Sequence, residues 1–437
     1  MAWQILFLLF TLALMVAFST GAPIAFAFLA VNAVTAMLLA GVQTGGLQIA
    51  QSLDLIMSYS LLPIPLFVLM GELLFHSGMA TRTLDGIGKW FGRVPGRLAL
   101  LTTAGGAAVG MFSGSAVAST TMLGTLLVPE MRAKGYNNRL AVGAVLGAGG
   151  LAMVIPPSSL AVLVGTIGQI SIGRLLVAGF IPGMMLAVCA MAYILIRCKL
   201  RPGDAPAYDV ERFGWRERWR SLFVDVLPLG SVMIVILGLI IMGWATPTEA
   251  AAVGVVVAFA LIGSYGLLSR RALVGASFGT LKITAGILLI IAAAAGYSQV
   301  MAYSGAIRGV IETVTALALD PMLIVVLMLL VILIIGGPLE DISLMLICLP
   351  VFVPIVVELG FDPVWFGLIF LLMLDVANLS PPVGLSLFIM QQVTHDDVTT
   401  NDIYWAAIPF LIIDLFVIAL ILAWPGLALW LPELLFR

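Results

Sequence analysis

Long stretches of this chain carry no charge, and that feature limits its fold more than any other. The first 53 residues contain no Asp, Glu, Lys or Arg, and Asp54 is the first charged residue. Of all 437 residues, 10% are charged and 62% are hydrophobic, whereas a soluble domain carries about 25% charge. The length allows roughly ten to fourteen apolar segments of about 20 residues. Because a backbone in lipid must satisfy its own hydrogen bonds, the sequence predicts an all-α polytopic membrane protein.

Composition also excludes several functions. A net charge of −2, without an extended basic patch, gives nucleic-acid binding no electrostatic support. The three cysteines and two histidines are too few and too scattered for a disulfide framework or a zinc centre. The sequence has no Walker motif, so we do not expect ATP hydrolysis. We therefore expect neither an enzyme nor a bound cofactor, and we expect contacts with membrane lipid.

The second half of the chain repeats the first at an offset of 225 residues. The only two double prolines correspond, because Pro156-Pro157 falls on Pro381-Pro382. Eight of the 33 positions from 128 to 160 are identical after the shift, without a gap. Chance does not explain such an alignment. We predict a first repeat at 1–198, a cytoplasmic linker at 199–221 and a second repeat at 222–437.

Each repeat contains three irregular elements between its apolar spans: an amphipathic arm helix, a re-entrant hairpin and a discontinuous helix. Gly, Ser and Pro clusters interrupt the hairpins and the broken helices, and they leave segments too short to cross a bilayer. In the first repeat these elements are predicted at 79–95, 97–130 and 140–166. In the second they are predicted at 304–319, 321–356 and 364–392.

Basic residues determine the predicted orientation, because the positive-inside rule places Lys and Arg in cytoplasmic loops. Each repeat then has five crossings and one hairpin, so the second repeat is inverted and both termini are periplasmic. The acidic loop 393–402 would then also lie inside the cell. The basic segments are 79–97, 131–139, 197–220 and 270–282, and those without Lys or Arg are 42–52, 243–249 and 357–363.

Inverted repeats with discontinuous helices are typical of secondary transporters, which hold their solute near mid-membrane between the breaks. Proline frees helix carbonyls, and hard cations such as sodium prefer oxygen ligands. Helix N-termini at the same breaks favour a carboxylate. The candidate residues at the first hairpin tip and break are Ser113, Gly114, Ser115, Ser119, Thr120, Gly149, Gly150, Pro156, Pro157, Ser158 and Ser159. Those in the second repeat are Gly336, Gly337, Pro338, Glu340, Asp341, Asp375, Asn378, Ser380, Pro381 and Pro382.

Some of these polar residues are also predicted to contact the solute. The alternative interpretation is that the small residues only allow tight helix packing and the prolines only kink helices. Two further intramembrane acids, Glu72 and Asp414, are predicted to have structural roles, either pairing with other side chains or facing a neighbouring subunit. The predicted solute contacts are Ser115, Ser119, Thr120, Ser158, Ser159, Asp375 and Asn378.

The sequence around the four breaks resembles the large membrane subunit of TRAP (tripartite ATP-independent periplasmic) transporters. The first-half signature comprises GMFSGSAVASTTMLGTLLVPEMRAKGY and GAGGLAMVIPPSS. The second comprises IGGPLEDISLMLICLPVFVPIVVELGFDPVWFGLIF and LDVANLSPPVGLSLF. The resemblance implies a Na⁺-driven importer of organic acids in the bacterial inner membrane, in which a transport domain moves like an elevator against a scaffold. It also implies two partners, a small four-helix membrane (Q) subunit and a periplasmic substrate-binding (P) protein, and we expect the unfused form.

The resemblance also implies two sodium sites. One falls at Ser113–Ser115 with Gly149–Pro156, including Gly114 and Gly150. The other falls at Gly337–Asp341 with Asn378–Pro381, including Pro338, Glu340 and Ser380. The second tip departs from the family pattern, because Pro338-Leu339-Glu340-Asp341 is followed by Ile342-Ser343, where relatives often have Leu-Asp followed by small hydroxyl residues.

Three other functions compete with this one. The nearest is a Na⁺/carboxylate symporter of similar architecture that needs no binding protein. An intramembrane aspartyl protease using Asp341 and Asp375 is disfavoured, because the chain lacks the Gly-x-Gly-Asp motif and an enzyme does not explain the repeat. A channel would not require two symmetric cation sites. C4-dicarboxylates, keto acids and sialic acid all remain open as substrates.

Overall fold

The computed structural model describes residues 3–20, 23–92, 94–110, 115–206, 213–316, 319–337, 339–394 and 398–436, and within these ranges it is helical without strands. The helices up to the linker are α1 Trp3–Ser19, α2 Ile24–Asp54, α3 Pro63–His76, α4 Met79–Phe91, α5 Arg97–Gly105, α6 Ala116–Ala133, α7 Asn138–Val154, α8 Ser159–Ile167, α9 Ile172–Ala178 and α10 Phe180–Leu200. The later ones are α11 Trp215–Ser221, α12 Leu227–Ile241, α13 Pro247–Ser264, α14 Arg270–Tyr303, α15 Ala306–Ala316, α16 Pro321–Gly336, α17 Asp341–Glu358, α18 Pro363–Leu379, α19 Leu385–Thr394, α20 Thr400–Ala423 and α21 Gly426–Leu435.

Among the described residues, seven helices are long and apolar enough to cross a membrane, or nine if each of two bent helix pairs counts as one span. This confirms the predicted all-α polytopic membrane fold. The number is smaller than the ten to fourteen segments expected from length, because the helices at the hairpins and breaks are short. Helix α16, for example, has 16 residues and α8 has nine.

The helix boundaries follow the predicted offset. Adding 225 to the bounds of α6 gives those of α17, and adding it to the bounds of α7 gives those of α18. The same local signals, a polar cap before each helix and a proline or glycine break after it, therefore recur in both halves. The inverted orientation, the repeat boundaries and the elevator motion stay predictions.

Two segments expected to be loops are helical instead. The segment 42–52 belongs to α2, which bends at Gly41 (φ 81°, ψ 162°) and continues to Asp54. The basic segment 270–282 forms the start of α14, which is capped by the Ser269 hydroxyl. A glycine tolerates a positive φ at no steric cost. Where the apolar run ends, Gly41 therefore bends α2, and the helix continues beyond it.

Helices α7 and α18 form the centre of the molecule. Every residue of α18 from Val364 to Leu379 is buried, as is nearly all of α7. A helix that is apolar on all faces is typical of such a position. The glycines of α7 allow close packing, because a Cβ at Gly147 would overlap the ring of Phe410 in α20. The two discontinuous helices are therefore held rigidly side by side at the level of their breaks.

The arm helix α4 is attached to the linker side of the molecule. The Arg82 Nε donates to Asp225 Oδ1 at 2.7 Å, and the Thr83 hydroxyl donates to the Asp225 carbonyl at 2.9 Å. The Ser221 hydroxyl donates to the other carboxylate oxygen of Asp225 at 2.9 Å. Asp225 thus joins the arm to the segment that connects the two halves of the chain.

Candidate functional site

In the first repeat, serine hydroxyls cap the helices that follow the breaks. The Ser115 hydroxyl accepts a hydrogen bond from Ala118 N–H at 3.4 Å at the start of α6. The Ser158 hydroxyl accepts one from Ala161 N–H at 3.2 Å at the start of α8. Serine is a favoured N-cap because its oxygen satisfies an otherwise unpaired amide of the first turn. The predicted ligands Ser113 and Gly114 lie outside the described residues.

In the second repeat, the hairpin tip and the break are joined by a buried hydrogen bond. The Asn378 Nδ2 donates to Asp341 Oδ1 at 2.8 Å, and these residues are 1% and 8% exposed. The Ser380 hydroxyl instead donates to the Val376 carbonyl at 2.6 Å, within its own helix. The structure therefore brings together Asp341 and Asn378, which are 37 positions apart in sequence. Pro338 lies outside the described residues.

A cavity of about 500 Å³ lies where both hairpin tips and both breaks meet helices α3 and α14. The first residues of four helices line it, namely those of α6, α8, α17 and α19. Helix N-termini carry partial positive charge and unpaired amides. The cavity therefore suits an anionic group, and most of its remaining wall is apolar. Its polar side chains are Ser115, Ser119, Ser159, Glu72, Glu340 and Asp341.

The other predicted site residues surround this cavity without lining it. Thr120, Ser158, Asp375 and Asn378, predicted to contact the solute, are all buried behind it. Among the backbone positions expected to bind sodium, Gly337 follows the end of α16, and Pro156, Ser380 and Pro381 lie at the two breaks. Gly149 and Gly150 lie inside α7, before its break.

Asp375 lies in the contact between the two broken helices. A Cβ at Gly150 would overlap its carboxylate, so the absence of a side chain at Gly150 makes room for the acid. Asp375 is 3% exposed, and its Oδ1 has no hydrogen-bond partner among the described residues. Burying such a carboxylate is costly, which is typical of functional positions in membrane proteins.

Several buried oxygen atoms near the two tips lack a hydrogen-bond partner in the described part of the chain. The Thr120 hydroxyl lies against Gly149 at the first tip, and the Ser343 hydroxyl lies two residues after Asp341 at the second. Both residues are fully buried. An unsatisfied buried polar atom is rare and needs an explanation. Hydroxyl, carboxylate and carbonyl oxygens are the ligands of hard cations, so the donors present at both tips fit sodium.

The structure assigns different places to the two acids that the sequence analysis treated as structural. Glu72 pairs with His76 Nε2 at 3.2 Å, in agreement with the expected pairing with another side chain, and it also lines the cavity. Asp414 is 6% exposed, and its Oδ2 has no described partner. The spacing of four residues between Glu72 and His76 places both on one helix face. This spacing is the sequence signal from which their pairing could have been predicted.

The chain matches the sequence profile described as "Tripartite ATP-independent periplasmic transporter, DctM component" over residues 11–427. The chain belongs to this family. It is therefore the large membrane component of a tripartite ATP-independent transporter.

Three curated relatives illustrate the range of solutes named in the family. The C4-dicarboxylate TRAP transporter large permease DctM of Pseudomonas aeruginosa is 32% identical over 378 residues, covering 86% of each chain. The sialic acid permease SiaM of Vibrio cholerae is 30% identical over 386 residues, covering 88% of each. The ectoine permease TeaC of Halomonas elongata is 27% identical over 381 residues, covering 86% of this chain and 87% of TeaC.

Two solved transporters share the fold at low sequence identity. The Alcanivorax borkumensis YdaH transporter superposes with a TM-score of 0.61 and 15% identity, covering 89% of each chain. Neisseria gonorrhoeae MtrF superposes with a TM-score of 0.62 and 14% identity, covering 88% of this chain and 84% of MtrF. These similarities concern the fold alone.

Proposed function

We propose that this TRAP subunit is a Na⁺-coupled importer of organic acids that works by an elevator mechanism. One observation carries the proposal: the first residues of four helices, two from each repeat, line a single cavity. This arrangement presents the partial positive charge of helix N-termini to a carboxylate. The names of the relatives support organic acids as the class, since they include a C4-dicarboxylate and a sialic acid permease.

Sodium would be held by oxygen atoms at the cavity wall and immediately behind it. At the first tip the candidates are the Thr120 hydroxyl and the backbone between Gly149 and Pro156. At the second tip they are Asp341, Ser343 and Asn378. Sodium bound there would supply positive charge close to the solute carboxylate. Asn378 fixes the Asp341 carboxylate by donating to one of its oxygens at 2.8 Å, which leaves the other oxygen available for a cation.

We assign the moving and fixed parts of the proposed elevator from the helices that form the cavity wall. The hairpin and break helices line the cavity together with α3 and α14. The hairpin and break helices pack as one unit around α7 and α18, so a displacement of this unit past α3 and α14 would carry the solute with it. The apolar lining excludes water from the bound carboxylate, which strengthens its interaction with the helix N-termini.

The partners follow from the tripartite family. We propose a small four-helix membrane subunit against the exposed apolar faces of α1 and α2, where Leu8, Leu38 and Val42 are 68%, 80% and 75% exposed. A relative named as a DctMQ permease shows that the two membrane components also occur as one protein. A periplasmic binding protein would deliver the solute. With the predicted topology, we propose that both termini face the periplasm and that the chain lies in the bacterial inner membrane.

Reconstitution tests this function directly. The chain would be placed in liposomes with its small membrane subunit and binding protein, and uptake of organic acids would be measured with and without a sodium gradient. We expect uptake to require sodium and all three components. Robust uptake by the chain alone would favour the binding-protein-independent symporter, and uptake that lithium or protons support at full rate would contradict sodium coupling.

The sodium ligands are tested with a matched pair of asparagine variants. Asn378→Ala removes one donor next to Asp341, and losing it costs about 1–3 kcal/mol, the scale of an unmet buried polar group. At 1.4 kcal/mol per decade, the sodium concentration for half-maximal uptake should rise roughly five- to 150-fold. Asn32→Ala is the control, because Asn32 is also buried and donates to the Ala293 carbonyl at 2.6 Å, away from both tips. Equal sodium dependence in both variants would place the ions elsewhere.

A further inference from the structure

A second cavity, of about 620 Å³, lies where the start of α7, the end of α10 and the start of α20 meet. We call it the end cavity, and it shares no lining residue with the cavity at the hairpin tips. Its charged lining residues are three arginines, Arg139, Arg197 and Arg201, and two aspartates, Asp204 and Asp402. The proposed transport of a solute with sodium uses none of these side chains.

Hydrogen bonds between separate parts of the chain hold the wall of the end cavity in place. The Arg139 Nε donates to Asp402 Oδ1 at 2.8 Å, which joins the start of α7 to the start of α20. The Arg197 Nε donates to Asp204 Oδ2 at 2.8 Å, and Arg197 Nη1 donates to the Tyr193 hydroxyl at 2.9 Å. The wall therefore positions two of its arginines through contacts within the protein itself.

The arginines retain donors that the wall does not use. A guanidinium has five N–H groups, and Arg139 reaches Asp402 through its Nε. Arg201 makes no side-chain hydrogen bond or ion pair with any residue that the structure describes. The start of α7 at Asn138 also lines the cavity, and a helix N-terminus carries partial positive charge. Because guanidinium groups match the oxygens of phosphate, the end cavity suits a phosphate group.

The end cavity also has an apolar rim. Ile196 and Leu200 of α10 and Trp405 of α20 line it and are exposed. Both helices belong to apolar segments long enough to cross a membrane, and Val188 and Ile412 are exposed further along them. A phosphate bound at the arginines can therefore carry acyl chains that lie against α10 and α20, which a soluble phosphate lacks.

The predicted topology places this end of the molecule at the cytoplasmic leaflet, because the segments 131–139 and 197–220 are basic. Basic pockets between membrane helices on that side typically bind anionic lipid headgroups. Tyrosine and tryptophan are enriched at the level of the headgroups, and Tyr193 and Trp405 line the cavity. Charge, side-chain type and position therefore indicate the same kind of ligand.

We propose that the end cavity binds the phosphate headgroup of one anionic phospholipid. The phosphate lies against Arg139 and Arg201 at the start of α7, and the acyl chains lie along the exposed faces of α10 and α20. This site goes beyond the proposed function, because it involves neither the solute nor sodium. The bound lipid connects the ends of three helices that come from different parts of the chain.

Native mass spectrometry of the purified full chain in detergent tests the proposal, because it resolves lipids that bind one at a time. The probes are phosphatidylglycerol and phosphatidylcholine with the same acyl chains, which differ in headgroup charge. We expect the first phosphatidylglycerol to bind about fivefold more tightly or better, the contribution of one basic side chain near an anionic headgroup. Inorganic phosphate in large excess should not displace it, because the acyl chains contribute to binding.

Three variants identify the residue responsible. Arg201→Gln should reduce the preference for phosphatidylglycerol by about fivefold, and it should leave the unfolding temperature without lipid unchanged, because Arg201 is exposed. Arg201→Lys keeps the charge and should retain most of the preference. Arg271→Gln is the matched control, because Arg271 is exposed at the start of α14 and outside the end cavity. It removes the same charge and should leave the preference unchanged.

A phosphatidylglycerol with a photoreactive group in its headgroup would locate the site. We expect it to label the peptides that contain 196–201 and 400–405. The proposal is overturned if both lipids bind equally, if Arg271→Gln lowers the preference as much as Arg201→Gln, or if the label is found only elsewhere. Displacement of the lipid by inorganic phosphate would overturn it as well and would assign the cavity to a soluble anion.

Discussion

The contact between Gly150 and Asp375 offers a direct test of how the two repeats fit together. A Cβ at Gly150 would approach the Asp375 carboxylate to much less than 3.0 Å. Real Cβ atoms essentially never come that close to a neighbouring atom. Gly150→Ala therefore forces the carboxylate to retreat by roughly 1 Å or more into a fully packed region. Both residues are buried, on helices that are buried along nearly their whole length, so the strain has no route into solvent.

The expected size of the effect follows from overpacking. Adding a methyl group to a well-packed core costs about 1–3 kcal/mol, while replacing glycine by alanine inside a helix returns about 0.5–1 kcal/mol. Gly238→Ala is the matched control, because Gly238 lies inside α12 and a Cβ there meets nothing within 4 Å. We expect Gly150→Ala to be destabilised and Gly238→Ala to be neutral or slightly stabilised.

Equilibrium unfolding in mixed micelles of increasing SDS content, followed by circular dichroism, would measure the difference. The decisive variant is Gly150→Ala combined with Asp375→Ala, because removing the carboxylate makes room for the new methyl group. The penalty for Gly150→Ala should then fall by about 1–3 kcal/mol, the usual size of coupling between contacting residues. An equal penalty in both backgrounds would show that Asp375 does not lie against Gly150.

Two further predictions concern topology and the arm helix. A cysteine introduced at Asn137 should react only from the cytoplasm and one at Phe361 only from the periplasm, and labelling of both from one side would contradict the inverted repeat. Asp225→Ala should lower the free energy of unfolding by about 1–3 kcal/mol, because it removes the carboxylate that pairs with the partly buried Arg82. Glu312→Gln, which breaks an ion pair to an arginine whose side chain is 86% exposed, should cost under about 0.5 kcal/mol; an equal loss in both variants would refute the attachment of the arm.

Much of the fold could be predicted because its signals are local. Apolar length predicts membrane helices, and Pro-Pro, Gly-Gly and Ser clusters predict where they break. The offset of 225 residues predicted equivalent elements, and α6 with α17 and α7 with α18 show the same bounds after that shift. The helical segment at 42–52 was missed for the same reason: the end of an apolar run signals the end of a span, and Gly41 bends the helix instead of ending it.

The side-chain arrangement of the site could be predicted only in part. The sequence analysis placed Ser115, Ser119, Ser159, Glu340 and Asp341 at the tips and breaks, and all five line the cavity. It treated Asp375 and Asn378 in the same way, although both are buried behind the wall. A break fixes where a helix stops, but the direction of each side chain depends on the helix packed against it.

The sequence by itself determined the membrane-spanning helical class, the positions of the breaks and the duplicated order of the elements, because each depends on residues close together in the chain. Only the tertiary structure decided that Glu72 faces the cavity, that Asn378 donates to Asp341 and that Gly150 makes room for Asp375. The residues of each contact lie on different helices, and Gly150 and Asp375 lie in different halves of the chain. Their proximity depends on helix crossing and rotation, which close packing sets and no local pattern in one segment encodes.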